Sequence, residues 1–160
     1  MKITLDTLPQ NATDMQAAFG QHATDEYYVS ALVVAALCRY PESVDDACAM
    51  LDVLKGPEPL SPFEKQFLRD RFAAADYVAR SYWEGATPDN NYQPAMPYAI
   101  DVEKAVSQEE GWASMLLTSG GADSPRFVKL RQKRSTGQWF LNDQMLLAGI
   151  RTPVADDPWA

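Results

Sequence analysis

The basic residues near position 130 are the side chains whose type and spacing most directly suggest chemistry. Five of the chain's 14 lysines and arginines lie within nine consecutive positions, namely Arg126, Lys129, Arg131, Lys133 and Arg134. Apolar and basic residues alternate in its centre, so on a strand Val128 and Leu130 share one face and Lys129, Arg131 and Lys133 share the other. Such a cationic face suits an acidic partner or ligand. The alternative is an ordinary solvated sheet face, on which lysine discourages unwanted strand pairing.

The turn before this segment, residues 120–126, carries a second charged pair. Asp123 can accept hydrogen bonds from nearby backbone amides, and Arg126 can bind a carboxylate through two N–H groups. The pair predicts a structural clamp between the two side chains, with recognition of a ligand as the alternative.

Tyrosine and tryptophan rings form a third candidate group. They are Tyr82, Trp83, Tyr92, Trp112, Trp139 and Trp159. Such rings line interfaces and pockets, but more often they pack inside a core. We expect Trp139 to pack inside and Trp83, which borders a long loop, to be exposed. The candidate lining residues for a ligand pocket are Tyr82, Trp83, Tyr92 and Trp139.

The residues that common catalytic and metal sites need are scarce. His22 is the only histidine, so no site with several histidines can form, and its place before a helix favours an exposed loop position. The spacing of Cys38 and Cys48 matches no zinc or redox motif. The sequence contains neither a phosphate-binding loop nor a calcium loop. We therefore predict no catalytic residue, no bound metal and no cofactor.

Composition predicts one globular domain over residues 1–160. Hydrophobic residues make up 46% of the chain and charged residues 22%, and the net charge is −8. This balance disfavours nucleic acids and anionic membranes as partners, because both require clustered lysine and arginine. The longest apolar stretch, 29–38, makes about 15 Å of helix, half of a bilayer core. We expect a cytoplasmic protein with reduced thiols and no signal peptide, whose partner is a protein or a small ligand.

The first half of the chain, residues 13–83, has the periodicity of helices. Residues 2–5 are ambiguous and could form a short edge strand. Thr13 and Asp14 predict the cap of a short helix that ends at Gly20.

Three further helices are predicted in this half. Thr24 is the expected N-cap of a helix over 27–39 that is apolar on nearly all sides and therefore central. Ser43 begins an amphipathic helix that ends at a Gly-Pro pair. Ser61 begins a third helix, with proline and glutamate in the positions of a capping box, and this helix is expected to run to about Tyr82. Its predicted core face is Phe63, Phe67, Leu68, Phe72 and Ala75.

The second half, residues 98–150, has the alternation of strands and follows a loop rich in proline and asparagine at 84–97. The four predicted strands are 98–103, 112–119, 126–134 and 138–142. Residues 145–150 form a short strand or a helical turn, and the tail 152–160 has no periodicity, although Trp159 is a candidate to pin it down. These elements predict an α+β fold in which N-terminal helices pack on one face of a four-stranded antiparallel sheet.

Eight short strings carry a resemblance to a known family. They are RYPE at 39–42, LKGP at 54–57, FLRDRF at 67–72, RSYWEGATP at 80–88, GADSPR at 121–126, KLR at 129–131, GQWFL at 137–141 and DDPW at 156–159. Together they resemble a bacterial domain family of unknown function, from about residue 27 to the end of the chain. The resemblance implies no activity, cofactor or catalytic residue.

The strand pair near the end of the second half supports another resemblance. Helices followed by strands that contain Leu130-Arg131 and Gly137-Gln138-Trp139 are similar to nuclear-transport-factor-2-like and cystatin-like cone folds. That resemblance implies a sheet that wraps around a helix and often leaves a cavity. The chain offers no pair of polar residues that would make such a cavity an isomerase site.

These observations predict a cytoplasmic, non-enzymatic interaction or ligand-binding domain. The alternative is a small-molecule-binding enzyme or carrier with a cone-type pocket. A structural subunit of a larger assembly is the third hypothesis.

Overall fold

The computed structural model describes residues 1–106 and 109–160, and four helices and five strands lie within these ranges. The helices are α1 (Ala12–His22), α2 (Glu26–Cys38), α3 (Val44–Lys55) and α4 (Pro62–Phe72). The strands are β1 (Lys2–Leu5), β2 (Tyr98–Lys104), β3 (Trp112–Leu117), β4 (Arg126–Lys133) and β5 (Gln138–Gln144). Short 3-10 helices occupy Ala79–Tyr82, Pro88–Asn90 and Val154–Asp156.

The two later helices begin where the sequence predicts. The Ser43 hydroxyl accepts a hydrogen bond from the Asp46 amide at the start of α3. At the start of α4, Ser61 and Glu64 each accept a hydrogen bond from the other's backbone amide, which is the predicted capping box. Both starts are confirmed because a cap is a contact between residues three positions apart, which the sequence displays directly.

The caps of the two earlier helices differ from the prediction. Asn11 caps α1 in place of Thr13 or Asp14, since its Oδ1 accepts the Asp14 amide at 2.9 Å. Asp25 caps α2 in place of Thr24 and accepts two amides of the first turn. Both residues have extended backbone and a short side chain, the geometry that an N-cap requires.

Two helices end at residues other than those predicted. α1 continues past Gly20 to His22, whose ring stacks on a tyrosine of α2. α4 ends at Phe72 instead of near Tyr82, and Phe72 stacks on Tyr40 with 4.5 Å between the ring centroids. The chain turns after this contact and resumes as the 3-10 helix that ends at Tyr82. α4 therefore ends where Phe72 packs into the core, and helix periodicity carries no sign of that contact.

The sheet has five antiparallel strands in the order β1-β2-β3-β4-β5, so the expectation of four strands is wrong by one edge strand. β1 is the segment that its own pattern left ambiguous. Its Lys2 lies opposite Asp101 and its Leu5 opposite Tyr98. Four residues are too short for a decisive alternation, and the partner strand that stabilises them lies far along the chain.

α2 is the centre of the core, as its sequence predicts. Residues 29–37 are buried throughout, and the helix packs against α1, α3 and strands β1, β2, β3 and β5. Val128 and Leu130 of β4 are fully buried in the same cluster. The α+β class is therefore confirmed, with the apolar side of the sheet facing the helical layer.

The segments outside the helices and strands differ in part from the prediction. In the loop 84–97 the Asn90 side chain makes two hydrogen bonds. Its Nδ2 donates to the Gly85 carbonyl, and its Oδ1 accepts from the Thr87 backbone amide. Residues 145–150 form neither the strand nor the helical turn expected there, and the backbone bends at 147–149. The expectation that Trp159 pins the tail is wrong, because its side chain is 93% exposed. Among the described residues, no helix is both long enough and apolar enough to cross a bilayer.

Candidate binding surface

The solvent side of β4 carries the cationic residues that the sequence places there. Lys129 is half-buried, Arg131 and Lys133 are exposed, and the alternating residues Val128 and Leu130 have no exposed surface. The predicted division of the strand into a wet cationic side and a buried apolar side is therefore confirmed.

The neighbouring strand adds a tryptophan to this side. Trp112 of β3 pairs directly with Arg131, and Ser114 of β3 pairs with Lys129. Lys129 Nζ lies 4.9 Å and Arg131 Cζ 5.1 Å from the Trp112 ring centroid. We call Lys129, Arg131, Lys133 and Trp112 the cationic face. Because the ring attracts both cations, it holds two flexible side chains in defined positions before any partner binds.

The cationic face continues into a cavity of about 450 Å³, here called the rim pocket. Its walls come from the end of α3 and the turn after it, from the start of β3 and from the β4–β5 hairpin. The lining residues are Lys55, Pro57, Glu58, Glu110, Gly111, Trp112, Arg131, Gln132, Lys133, Arg134, Phe140, Leu141 and Asn142. The volume lies within the range of about 300–1,000 Å³ typical of ligand sites.

Most cations of this surface have no carboxylate partner in the part of the chain that the structure describes. Lys55 is the exception, since its Nζ lies 2.8 Å from Glu64. Within residues 1–106 and 109–160, no carboxylate lies within ion-pair distance of Lys129, Arg131, Lys133 or Arg134. Elsewhere the ion-paired basic side chains include those of Lys2, Arg39, Arg80, Lys104 and Arg151. The pocket lining also holds Glu58 and Glu110, but the cations outnumber these carboxylates, so the surface is locally positive on a chain of net charge −8.

The predicted clamp between Asp123 and Arg126 is wrong. The Asp123 carboxylate pairs with Arg151 at 2.8 Å. The Arg126 guanidinium donates to the carbonyls of Ala148 and Gly149, each at 3.0 Å. The bends at 147–149 bring these carbonyls to Arg126, an arrangement that depends on how the chain folds back after β5. Arg126 thus connects the start of β4 to the segment that follows β5, and it does not extend the cationic face.

The aromatic residues expected around a pocket lie in the core instead. Trp83 is 1% exposed, so its expected exposure is wrong, and Tyr82 and Tyr92 are also buried. The Trp83 Nε1–H donates to Cys38 Sγ at 3.3 Å, and the Tyr82 and Tyr92 hydroxyls donate to backbone carbonyls. Each polar tip is therefore satisfied within the fold, which is how a buried tyrosine or tryptophan avoids a desolvation cost. Trp139 is buried, as predicted.

The two cysteines supply no reactive group at this surface, and His22, expected in an exposed loop, is instead the half-buried last residue of α1. Burial raises the pKa of the Cys38 thiol to about 12, despite its hydrogen bond from Trp83. Burial also raises the pKa of Cys48. Neither cysteine is in a disulfide. A thiol with a raised pKa is a poor nucleophile, so both residues act as packing groups.

A second, smaller cavity of about 140 Å³ lies between α4 and the end of β5. Phe63 and Phe67 of α4 and Met145 contribute its apolar wall, while Glu64 and Asp143 place carboxylates in its lining. Phe63 is 79% exposed, so its assignment to the core face of the helix is wrong. Phe63 lies in the first turn of α4, whereas the buried residues of that helix, Leu68 and Phe72, lie in its second half.

Sequence reasoning missed the contribution of Trp112, Arg134 and Phe140 to the pocket. The sequence analysis named Trp112 with the aromatic residues and Arg134 with the basic residues. No short-range sequence pattern indicated that the two lie in the same pocket. The available signal was the register of the β3–β4 pair, which sets Trp112 opposite Arg131. Phe140 reaches the pocket from β5 while contacting Phe19 of α1, with 5.3 Å between ring centroids.

Fold and surface together define an α+β domain with a helix-covered antiparallel sheet and a cationic outer face. A family model described as a domain of unknown function, DUF6935, matches residues 7–154, and the chain belongs to that family. The predicted resemblance to such a family is thereby confirmed. No curated protein and no solved structure gives a match. The similarity to cone folds stays a prediction.

Proposed function

We propose that this domain is a non-enzymatic, cytoplasmic interaction module that binds an acidic segment of a partner protein on the cationic face and in the rim pocket. The observation that carries the proposal is the Trp112 ring with Lys129 and Arg131 held against it on the solvent side of the sheet. The cytoplasm is proposed because both cysteines are free thiols, which a reducing compartment maintains.

Charge is the first support for an acidic segment as the occupant. Arg131, Lys133 and Arg134 have no ion-pair partner among the described residues, so an incoming carboxylate breaks no existing pair. Arginine binds carboxylates through two parallel N–H groups, which adds orientation to attraction. Attraction at an exposed face is screened by salt, so binding should weaken as the Debye length falls from about 30 Å at 0.01 M to about 8 Å at 0.15 M.

The aromatic groups are the second support. Trp112 and Phe140 give the rim pocket an apolar part beside its cations. An interface usually depends on a few buried aromatic and arginine anchors surrounded by polar contacts. A segment with carboxylates next to an aromatic residue would therefore fit this surface better than one with carboxylates alone.

The alternative, a small-molecule enzyme or carrier with a cone-type pocket, loses its expected lining. Three of the four side chains assigned to that lining, Tyr82, Trp83 and Tyr92, are buried and bonded within the fold. The fourth, Trp139, is buried as well. No observation favours this function over the interaction module.

The proposal is tested with a fluorescent eight-residue peptide of alternating glutamate and tryptophan, whose binding is followed by anisotropy at low and moderate salt. The triple variant Lys129→Glu, Arg131→Glu, Lys133→Glu should lower the affinity at least about tenfold, equivalent to about 1.4 kcal/mol. The matched control is Lys65→Glu, Arg69→Glu, Arg71→Glu, which makes the same charge change at exposed positions of α4. Equal losses in both variants, or no binding by the unmodified chain, would overturn the proposal.

A further inference from the structure

The tail of the chain presents an acidic and aromatic segment to solvent. Trp159 is 93% exposed, and Asp156 and Pro158 are exposed beside it. The Trp159 amide donates to the Asp157 carboxylate at 2.8 Å, so the segment is ordered locally while its ring contacts solvent. Within the described ranges, neither aspartate has an ion pair. A large ring left in water favours burial against another surface.

We propose that residues 156–159 of one copy of this chain dock on the cationic face and into the rim pocket of a second copy. This proposal rests on the proposed function and names its occupant. The two aspartates match Arg131, Lys133 and Arg134, which form no ion pair with the described residues, and the Trp159 ring matches the apolar part of the pocket. The 450 Å³ pocket is large enough for an indole ring together with the side chains that flank it.

The second, smaller cavity, between α4 and the end of β5, is a poorer site for this segment. Its wall is apolar enough for an indole, but its lining contains the carboxylates of Glu64 and Asp143 and no lysine or arginine. Placing Asp156 and Asp157 there would bring like charges together, which is unfavourable. The rim pocket also contains two carboxylates, those of Glu58 and Glu110, but Arg131, Lys133 and Arg134 outnumber them. The charge of the tail therefore selects the rim pocket.

The tail cannot reach the rim pocket of its own chain. Its root is anchored at the Arg126 end of β4, where the Arg151 amide donates to the Gly121 carbonyl and Arg126 donates to the Gly149 carbonyl. The pocket lies at the Lys133 end of the strand, seven residues and about 24 Å away.

The free length of the tail is too short to cover that distance. Pro153 is buried, and the 3-10 helix Val154–Asp156 packs against Pro88–Asn90. The three residues from Asp156 to Trp159 span at most about 11 Å. The docked segment must therefore come from another molecule.

Such a contact joins two different surfaces of the same chain. Each molecule then offers one tail and one cationic face, so association continues head to tail until the rotation closes a ring. The contact is small and charged, so it should depend on protein concentration and weaken with salt.

The test is sedimentation velocity of the full chain across a range of concentrations at low salt. The unmodified chain should show concentration-dependent association. Trp159→Ala, the pair Asp156→Lys with Asp157→Lys, and the triple face variant Lys129→Glu, Arg131→Glu, Lys133→Glu should each sediment as monomers. The control pair Asp6→Lys with Asp70→Lys, at exposed positions elsewhere, should associate like the unmodified chain.

Mixing the two defective proteins gives the sharper result. The face variant keeps an intact tail and the tail variant keeps an intact face, so an equimolar mixture should form a one-to-one complex and nothing larger. A monomeric unmodified chain, or association that survives Trp159→Ala, would overturn the inference. If the glutamate–tryptophan peptide still binds in that case, the proposed function stands without a self-associating tail. If the peptide fails as well, both are wrong.

Discussion

Arg131 lies directly opposite Trp112 on adjacent antiparallel strands, and its guanidinium carbon is 5.1 Å from the centre of the indole ring. Lys129 approaches the same ring from two residues away along β4, at 4.9 Å. One ring thus orders two cations at a surface where their side-chain entropy would otherwise oppose binding. The contact therefore gives the charged side of β4 a defined arrangement of side chains before a partner binds.

The ring should matter for binding more than for folding. Replacing Trp112→Ala removes two cation–π contacts worth about 0.5–1 kcal/mol each at an exposed site. We expect weaker anisotropy binding of the glutamate–tryptophan peptide, and a fall in the free energy of unfolding limited to the roughly 1–2 kcal/mol that these two contacts supply, because the ring is only half-buried. Trp112→Phe keeps a smaller aromatic face and should restore part of the affinity. An alanine variant that binds as tightly as the unmodified chain would contradict this reading of the face.

Gly56 should be intolerant of any side chain. Its φ is +62°, and a Cβ built there would overlap the Phe140 ring. Gly56→Ala should lower the free energy of unfolding by at least about 2 kcal/mol, since the left-handed backbone alone costs about 1–2 kcal/mol. Urea denaturation measures the change.

Gly20 is the matched control for that experiment. It lies in α1 with open space where a Cβ would sit, so Gly20→Ala should raise stability by up to about 1 kcal/mol. If the urea midpoint of Gly56→Ala does not fall below that of the unmodified chain, the close packing of Gly56 on Phe140 does not control stability.

Acid should weaken the junction between α3 and α4. Burial alone would raise the pKa of Glu64, but hydrogen bonds from Lys55 and from the Ser61 amide bring it below the ordinary 4.5. A carboxylate with a depressed pKa in the folded state adds stability that is complete above its unfolded pKa. That stability is lost as the pH falls through the folded pKa.

The measurement for this prediction is the urea midpoint as a function of pH. The urea midpoint of the unmodified chain should exceed that of Glu64→Gln near neutral pH, and this difference should shrink as the pH drops below about 4.5. Glu58→Gln, at a neighbouring exposed carboxylate, serves as the control and should run parallel to the unmodified chain. A constant gap between the unmodified chain and Glu64→Gln at all pH values would refute the assignment.

The thiols should react at different rates with a maleimide. Cys38, with a pKa raised to about 12 by burial, should be labelled more slowly than Cys48, whose pKa burial also raises but which is less enclosed. Cys38→Ser should leave the faster phase and Cys48→Ser the slower one, as measured by mass spectrometry. Denaturant should abolish the difference. Faster labelling of Cys38 in the folded chain would show that its thiol is accessible.

Much of the fold followed from contacts between residues a few positions apart. The caps at Ser43 and Ser61, the central helix and the alternation of β4 all depend on neighbours within one or two turns. The prediction failed where distant residues decide the outcome, as at the early end of α4 and the burial of Trp83. Of the candidate site, the sequence predicted the cations but not the aromatic residues beside them. Its cations came from one strand, whereas Trp112 and Phe140 entered from two others.

The sequence by itself determined the α+β class, the buried helix and the cationic side of β4, because hydrophobic period and charge alternation are local properties. Only the tertiary structure decided that Lys2–Leu5 becomes a fifth strand and that Trp112 stands between two cations. It also decided which aromatic rings are hidden. Strand register and ring burial depend on pairings between residues far apart in the chain, and those pairings are selected by packing the whole core at once.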